Sequence, residues 1–188
     1  ARASVLVNRY AEALGALEKA DRLTPNSPVV WAMMAAVYVQ TNQYKKAEKR
    51  LRQVLESGHG VARLYMALSL LLREQGRYTE ATRILQDGHN KFPKETEVHR
   101  ELVRSLAVIG EKERAFTLGK DLARRFPNDL EIQKFFAKIA MSSGHDAEAE
   151  RAFRQILAQR PDDASVLNDL AWVMRLDQSR SSEAIGPP

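Results

Sequence analysis

The side chains of this chain that are able to do acid–base or metal chemistry are scattered. Its histidines, His59, His89, His99 and His145, include no metal-spaced pair such as His-Glu-x-x-His. The 24 acidic residues fall at capping and ion-pair positions rather than converging on one segment. No G-x-x-x-x-G-K-[ST] loop and no G-x-S-x-G elbow is present. Cysteine is absent, which removes disulfides and thiolate metal sites. His59, between Gly58 and Gly60, is the one histidine in an unusual setting. The chain therefore reads as non-enzymatic, with no catalytic residue, no metal site and no cofactor. What remains is recognition by charge and shape. Lys45, Lys46, Lys49, Arg50 and Arg52 form a basic run that would suit anionic lipid or a polyanion, and that reads first as a solvated helix face.

The composition narrows the partner. Of 188 residues 44% are hydrophobic, enough to build a core. No apolar run reaches the roughly 20 residues a membrane span needs. The 29 basic residues exceed the acidic ones to leave a net charge of +5, modest and mixed in sequence. That balance favours anionic partners in general but lacks the clustered stripe of a nucleic-acid binder. The chain opens on Ala1 rather than Met, without a signal-peptide pattern, and reads as a piece of a longer protein.

Stepping along the chain, Ala13, Ala47, Ala81, Ala115 and Ala149 recur every thirty-four residues. Tyr10, Tyr44 and Tyr78 share the interval, as do Gly76, Gly110 and Gly144, and Pro93, Pro127 and Pro161. A fixed interval of this length marks a stack of helical hairpins. In the unit 28–61, Ser27 can cap a helix that opens on Pro28. Trp31, Met34, Ala35 and Tyr38 then form one apolar face. Thr41-Asn42-Gln43 breaks the helix, and Tyr44, Ala47, Leu51, Val54 and Leu55 resume it. The same plan repeats in units 62–95, 96–129 and 130–163, with partial units at 1–27 and 164–176 and a polar, frayed tail at 177–188. Asp129 and Asp163 stand ready to cap the helices after them.

These residues carry a resemblance to the tetratricopeptide repeat family, in a bacterial-type array. Trp31, Met34, Ala35 and Tyr38 match its first-helix series. Tyr10, Ala13, Leu17 and Pro25, and again Tyr78, Ala81, Leu85 and Pro93, match its second-helix series. The resemblance implies an all-α solenoid: a right-handed superhelix of antiparallel hairpins with four full repeats. Small residues at Ala35 and Ala47, Ser69 and Ala81, and Ala137 and Ala149 let paired backbones approach. Departures are His59 in place of the closing proline, Lys112 and Asp146 in place of tyrosine, and Gly119 in place of a large apolar residue. Loose packing is expected around Gly119.

The resemblance further implies a concave groove lined by the first helices. Carried over position by position, it places Arg63, Met66, Leu70, Arg73, Arg100, Arg104, Lys134, Lys138 and Trp172 there. The expected function is a protein-interaction scaffold that holds a partner protein or peptide segment, acidic or carboxylate-bearing, beside apolar anchors. The competing reading has these cations neutralised by Glu74, Glu97 and Glu131. Trp172 reads equally as a ligand anchor or as packing for a missing second helix. The bare face of Leu167, Leu170 and Met174 would seek another copy or a partner, so self-association through the terminal helices is expected. An alternative role is a component of a bacterial envelope assembly, secretion or exopolysaccharide system whose groove holds an anionic polymer. That alternative would place the chain in the periplasm or at the envelope rather than in the cytoplasm.

Overall fold

Side-chain oxygens accept from otherwise orphaned N–H groups at the helix starts near Pro28, Leu130 and Ala164, whereas the helices that begin at Tyr44, Ala62, Tyr78, Lys112 and Asp146 have no such bond. The Ser27 hydroxyl accepts from the Val30 N–H at 3.5 Å, and Pro28 opens the helix. Asp129 accepts from the N–H groups of Glu131 and Ile132 at 3.0 and 3.1 Å, and Asp163 from that of Val166 at 3.1 Å. Within each hairpin the chain reverses through one left-handed residue: Asn42, Gly76, Gly110 and Gly144, with φ of 56°, 73°, 85° and 84°. Glycine meets that demand without strain, and asparagine is the residue that next tolerates it.

The computed structural model describes the backbone of residues 2–25, 27–58 and 60–184, and the side chains of 9–25, 27–58 and 60–175. Among the described residues there are ten helices and no strand. These are α1 (Arg2–Leu23), α2 (Pro28–Gln40), α3 (Tyr44–Glu56), α4 (Ala62–Glu74) and α5 (Tyr78–Lys91). They continue as α6 (Thr96–Val108), α7 (Lys112–Arg125), α8 (Leu130–Ser142), α9 (Asp146–Gln159) and α10 (Ala164–Ala184). The chain divides into two compact units, Ala1–Leu102 and Val103–Pro188, with the division inside α6.

In the first unit, α2 packs against α1, α3 and α4, and α4 packs against α3 and α5. Trp31, Met34, Leu51, Leu64, Leu68 and Leu72 fill the space between them. Each such side chain contributes roughly 1.5–3 kcal/mol on burial. Ala35, Ala47, Ser69 and Ala81 are also buried, as close approach of paired helices requires. In the second unit, α8 packs against α7, α9 and α10 around Phe116, Phe136, Phe153, Ile156, Val166 and Val173.

Three features differ from the sequence expectation. First, the partial unit 1–27 implies the tail of a first helix, then a turn and a second helix from Tyr10, whereas α1 is one continuous helix from Arg2. Asn8 holds the place that Asn42 and the turn glycines hold elsewhere, and no glycine or proline precedes Gly15 to interrupt the helix. Second, α10 continues past Leu176 to Ala184, because glycine and proline are absent between Ala164 and Ile185. Third, the surroundings of Gly119 are filled rather than loose. A methyl group there would meet Ile139 Cγ2 at 3.5 Å, Phe136 Cδ2 at 3.7 Å and Val103 Cγ1 at 3.7 Å, ordinary contact distances. The Phe136 ring and the Ile139 branch close in on the glycine and leave room for a methyl group. His59 lies outside the described residues.

Candidate functional site

In the first unit the sequence-predicted groove residues divide into apolar and cationic sets. α2 is apolar on all sides. Trp31, Met34, Ala35 and Tyr38 point into the core, while Val29 and Met33 are each 56% exposed. Val29, Met33 and Ala36 follow helical spacing along one face. Leu70, one repeat after Ala36, is 49% exposed on α4, with Met66 half-buried one turn before it. Arg63 stands exposed on the same helix, and among the described residues no ion pair to it is seen. Arg73 reaches Glu101 on α6 at 3.4 Å. Arg100 lies 3.8 Å from Glu97.

In the second unit the cations are tied more closely. Lys134 donates to Asp163 at 2.8 Å and Lys138 lies 3.3 Å from Asp169. Asp163 thus serves twice, capping α10 and binding α8 to it. The Lys134 ammonium, joined by the Val166 N–H, holds its carboxyl below the usual carboxylate range. The Arg104 guanidinium stacks 5.2 Å above the Phe135 ring. Trp172 is 50% exposed on α10 and lines a shallow pocket with Asn168, Ala171 and Arg175. Leu167 and Met174 are exposed on the same helix, whereas Leu170 is buried.

Arg73, Arg100, Lys134 and Lys138 each have a carboxylate neighbour. Glu97 is one of the partners expected from sequence. Glu101, Asp163 and Asp169 are new, and each but Glu97 belongs to the next first helix or its cap. Sequence spacing carried a signal for them, since Arg73 and Glu101, and Lys134 and Asp163, lie just under one repeat apart.

The two arginines of the basic run on α3 are also engaged. Arg50 donates to Asp21, which accepts from Trp31 Nε1 as well, and the guanidinium sits 5.1 Å above the Trp31 ring. Arg52 donates to Glu48 and Glu80. Arg77 donates to the same two carboxylates at 2.6 and 2.8 Å, and those bonds hold both glutamates below the usual range. Lys45, Lys46 and Lys49 remain exposed.

The described histidines, His89, His99 and His145, each pack against another ring. His89 and His99 lie ring to ring at 4.6 Å. His145 stacks on Phe116 at 3.5 Å and reaches Glu113 at 3.2 Å. Among the described residues no three His, Asp or Glu side chains could share a metal ion, and no helix is long and apolar enough to cross a membrane.

Repeated helical hairpins that bury one face against their neighbours and leave apolar side chains exposed on first helices define a class of repeat protein. Models of the tetratricopeptide repeat match residues 6–71 and 136–187. The chain belongs to the tetratricopeptide repeat family, and its fold is the all-α solenoid of that family. It is similar to a BBSome complex member BBS4 homolog of Drosophila melanogaster, 21% identical over 84% of this chain and 32% of that protein. It is also similar to a small glutamine-rich tetratricopeptide repeat-containing protein 2 of Mycosarcoma maydis, 34% identical over 42% of this chain and 22% of that one. The chain thus spans a third or less of these relatives' length. Among solved structures it resembles YrrB, described as a TPR protein with an unusual peptide-binding site. The TM-score is 0.63 at 20% identity, over 87% of this chain and 84% of that one. A tetratricopeptide repeat protein from Parabacteroides merdae matches with a TM-score of 0.69 at 14% identity, over 95% and 71%. The family supports a protein–protein interaction scaffold as the chain's general role.

Proposed function

We propose that the chain grips a segment of a partner protein against the first helices of its repeats, and that the segment combines aliphatic with carboxylate side chains. The observation that carries this reading is the two-sided apolar character of α2. A helix apolar all round is expected to be buried, yet Val29 and Met33 are more than half exposed. Met66 and Leu70 on α4 extend the apolar surface, and Arg63 and Arg73 border it with guanidinium groups suited to carboxylates. Arg73 exchanges Glu101 for the ligand carboxylate. In the second unit, Trp172 is the corresponding apolar anchor, and Arg104, Lys134 and Lys138 are the cations carried on first helices. Because Asp163 and Asp169 already neutralise the two lysines, apolar contact outweighs charge there. The resemblance to YrrB lends general support, since that protein is described as binding a peptide.

The test is titration of the isotope-labelled full chain with an acidic–aliphatic decapeptide, read at the amides of residues 29–36 and 63–70. Met33→Asp with Leu70→Asp should weaken binding at least tenfold, about 1.4 kcal/mol or more. Both residues are largely exposed, so folding should survive. Unchanged affinity would remove the first-helix face as the site.

A further inference from the structure

Each unit carries a second groove, on the other set of helices. In the first unit it runs between α3 and α5, lined by Arg52, Glu56, Asp87 and Lys91 above an apolar floor of Leu55, Leu68 and Ile84. In the second it runs between α7 and α9, with a volume of about 700 Å³. Lys120 and Arg124 on α7 and Arg151 on α9 line it above Leu130, Phe136 and Ile156. The two grooves are register mates, two repeats apart. Their charges differ at three matched positions, one of which, Lys91 against Gln159, removes a cation from the second groove, and Arg151 lines the second alone. Where the first has Glu56 and Asp87, the second has Arg124 and Gln155. The first groove is charge-balanced, and its Arg52 is already held by Glu48 and Glu80. No carboxylate lines the second.

The cations of the second groove differ in their freedom. Lys120 lies 3.7 Å from Glu148 and 5.1 Å above the Phe116 ring. Arg124 and Arg151 are exposed, and among the described residues no ion pair to either is seen. The end of α7 also borders this groove, and free carbonyls at a helix C-terminus repel anions. Here Gln133 Nε2 donates to the carbonyls of Ala123 and Phe126 at 2.8 and 3.0 Å, which engages them.

We propose that the groove between α7 and α9 is a second docking surface, fitted to a short acidic segment of a partner protein. Arg124 and Arg151 offer forked donors from opposite walls to carboxylates of the segment. Leu130, Phe136 and Ile156 receive the aliphatic side chains between them. Three cations over an apolar floor suit a peptide better than a nucleic acid, which calls for a longer basic stripe and exposed stacking rings.

Amide spectra of the isotope-labelled full chain test this, with a decapeptide of Asp, Glu, Leu and Val as probe. Amides of residues 120–126 and 151–159 should shift on titration. The shifts should persist in the Met33→Asp, Leu70→Asp variant, which separates this groove from the first-helix face. They should vanish, or need at least tenfold more peptide, in Arg124→Glu with Arg151→Glu. Glu56→Arg with Asp87→Gln should create the same response in the groove between α3 and α5. The proposal is overturned if the shifts are absent in the parent or survive in the Arg124→Glu, Arg151→Glu variant. It is overturned equally if a peptide of Asp and Glu alone, or single-stranded DNA, binds there as tightly.

Discussion

At the scale of single residues, two glycines inside helices make opposite demands. Gly88 on α5 lies against Tyr65, where an added methyl would come within 2.8 Å of Cβ and 2.9 Å of Cγ. Those atoms sit at the root of the ring and cannot swing aside. Gly119 on α7 has its nearest neighbours at 3.5 Å and beyond. Gly88→Ala should therefore destabilise by about 1–3 kcal/mol through overpacking. Gly119→Ala should be neutral or stabilise by up to about 1 kcal/mol, the helix preference of alanine over glycine. Denaturant unfolding of the two variants beside the parent checks both signs. From the sequence alone the two positions cannot be told apart, because each depends on which neighbouring ring or branch fills the gap. The turn residues are another matter. Asn42, Gly76, Gly110 and Gly144 were legible because a left-handed residue selects its own side chain.

At the scale of helices, caps and ion pairs join one element to the next. Ser27, Asp129 and Asp163 were readable as caps from residue type and interval. Their second partners were not, since Lys134 reaches Asp163 only through the packing of α8 on α10. The same holds for Glu48, which joins α3 to Arg77 at the start of α5. The Arg77 guanidinium holds the Glu48 carboxyl below its ordinary value, with Arg52 adding to the effect. A carboxylate depressed in this way contributes stability that is fully present above its unfolded pKa of about 4.3. That contribution is lost as pH falls through the lower folded value. Glu48→Gln should thus lower stability at pH 7, and its difference from the parent should shrink as pH drops below about 4. A constant difference across that range, measured by denaturant unfolding, would exclude the linkage. Helix extent was the least readable property here. α1 and α10 run on where neither glycine nor proline stops them, although the repeat interval expects a turn in α1.

At the scale of the whole molecule, the repeat interval established the fold class because several residue types share it. Hairpins of this kind cannot bury their apolar faces alone and are covered by neighbours. What the interval does not specify is which exposed positions hold a partner. Those positions are free to vary without disturbing the stack, so their types report function only after the structure shows which are exposed. Val29, Met33 and Leu70 are conspicuous for that reason: they are apolar, exposed and on first helices. The most direct measurement is photo-crosslinking of the acidic–aliphatic decapeptide to full chains that carry a benzophenone side chain at position 33 or, as a control, at position 49 on α3. An adduct at position 33 that excess unlabelled peptide suppresses is expected, with little at position 49. Equal yields at the two positions, or an adduct at 49 alone, would contradict binding on the first helices.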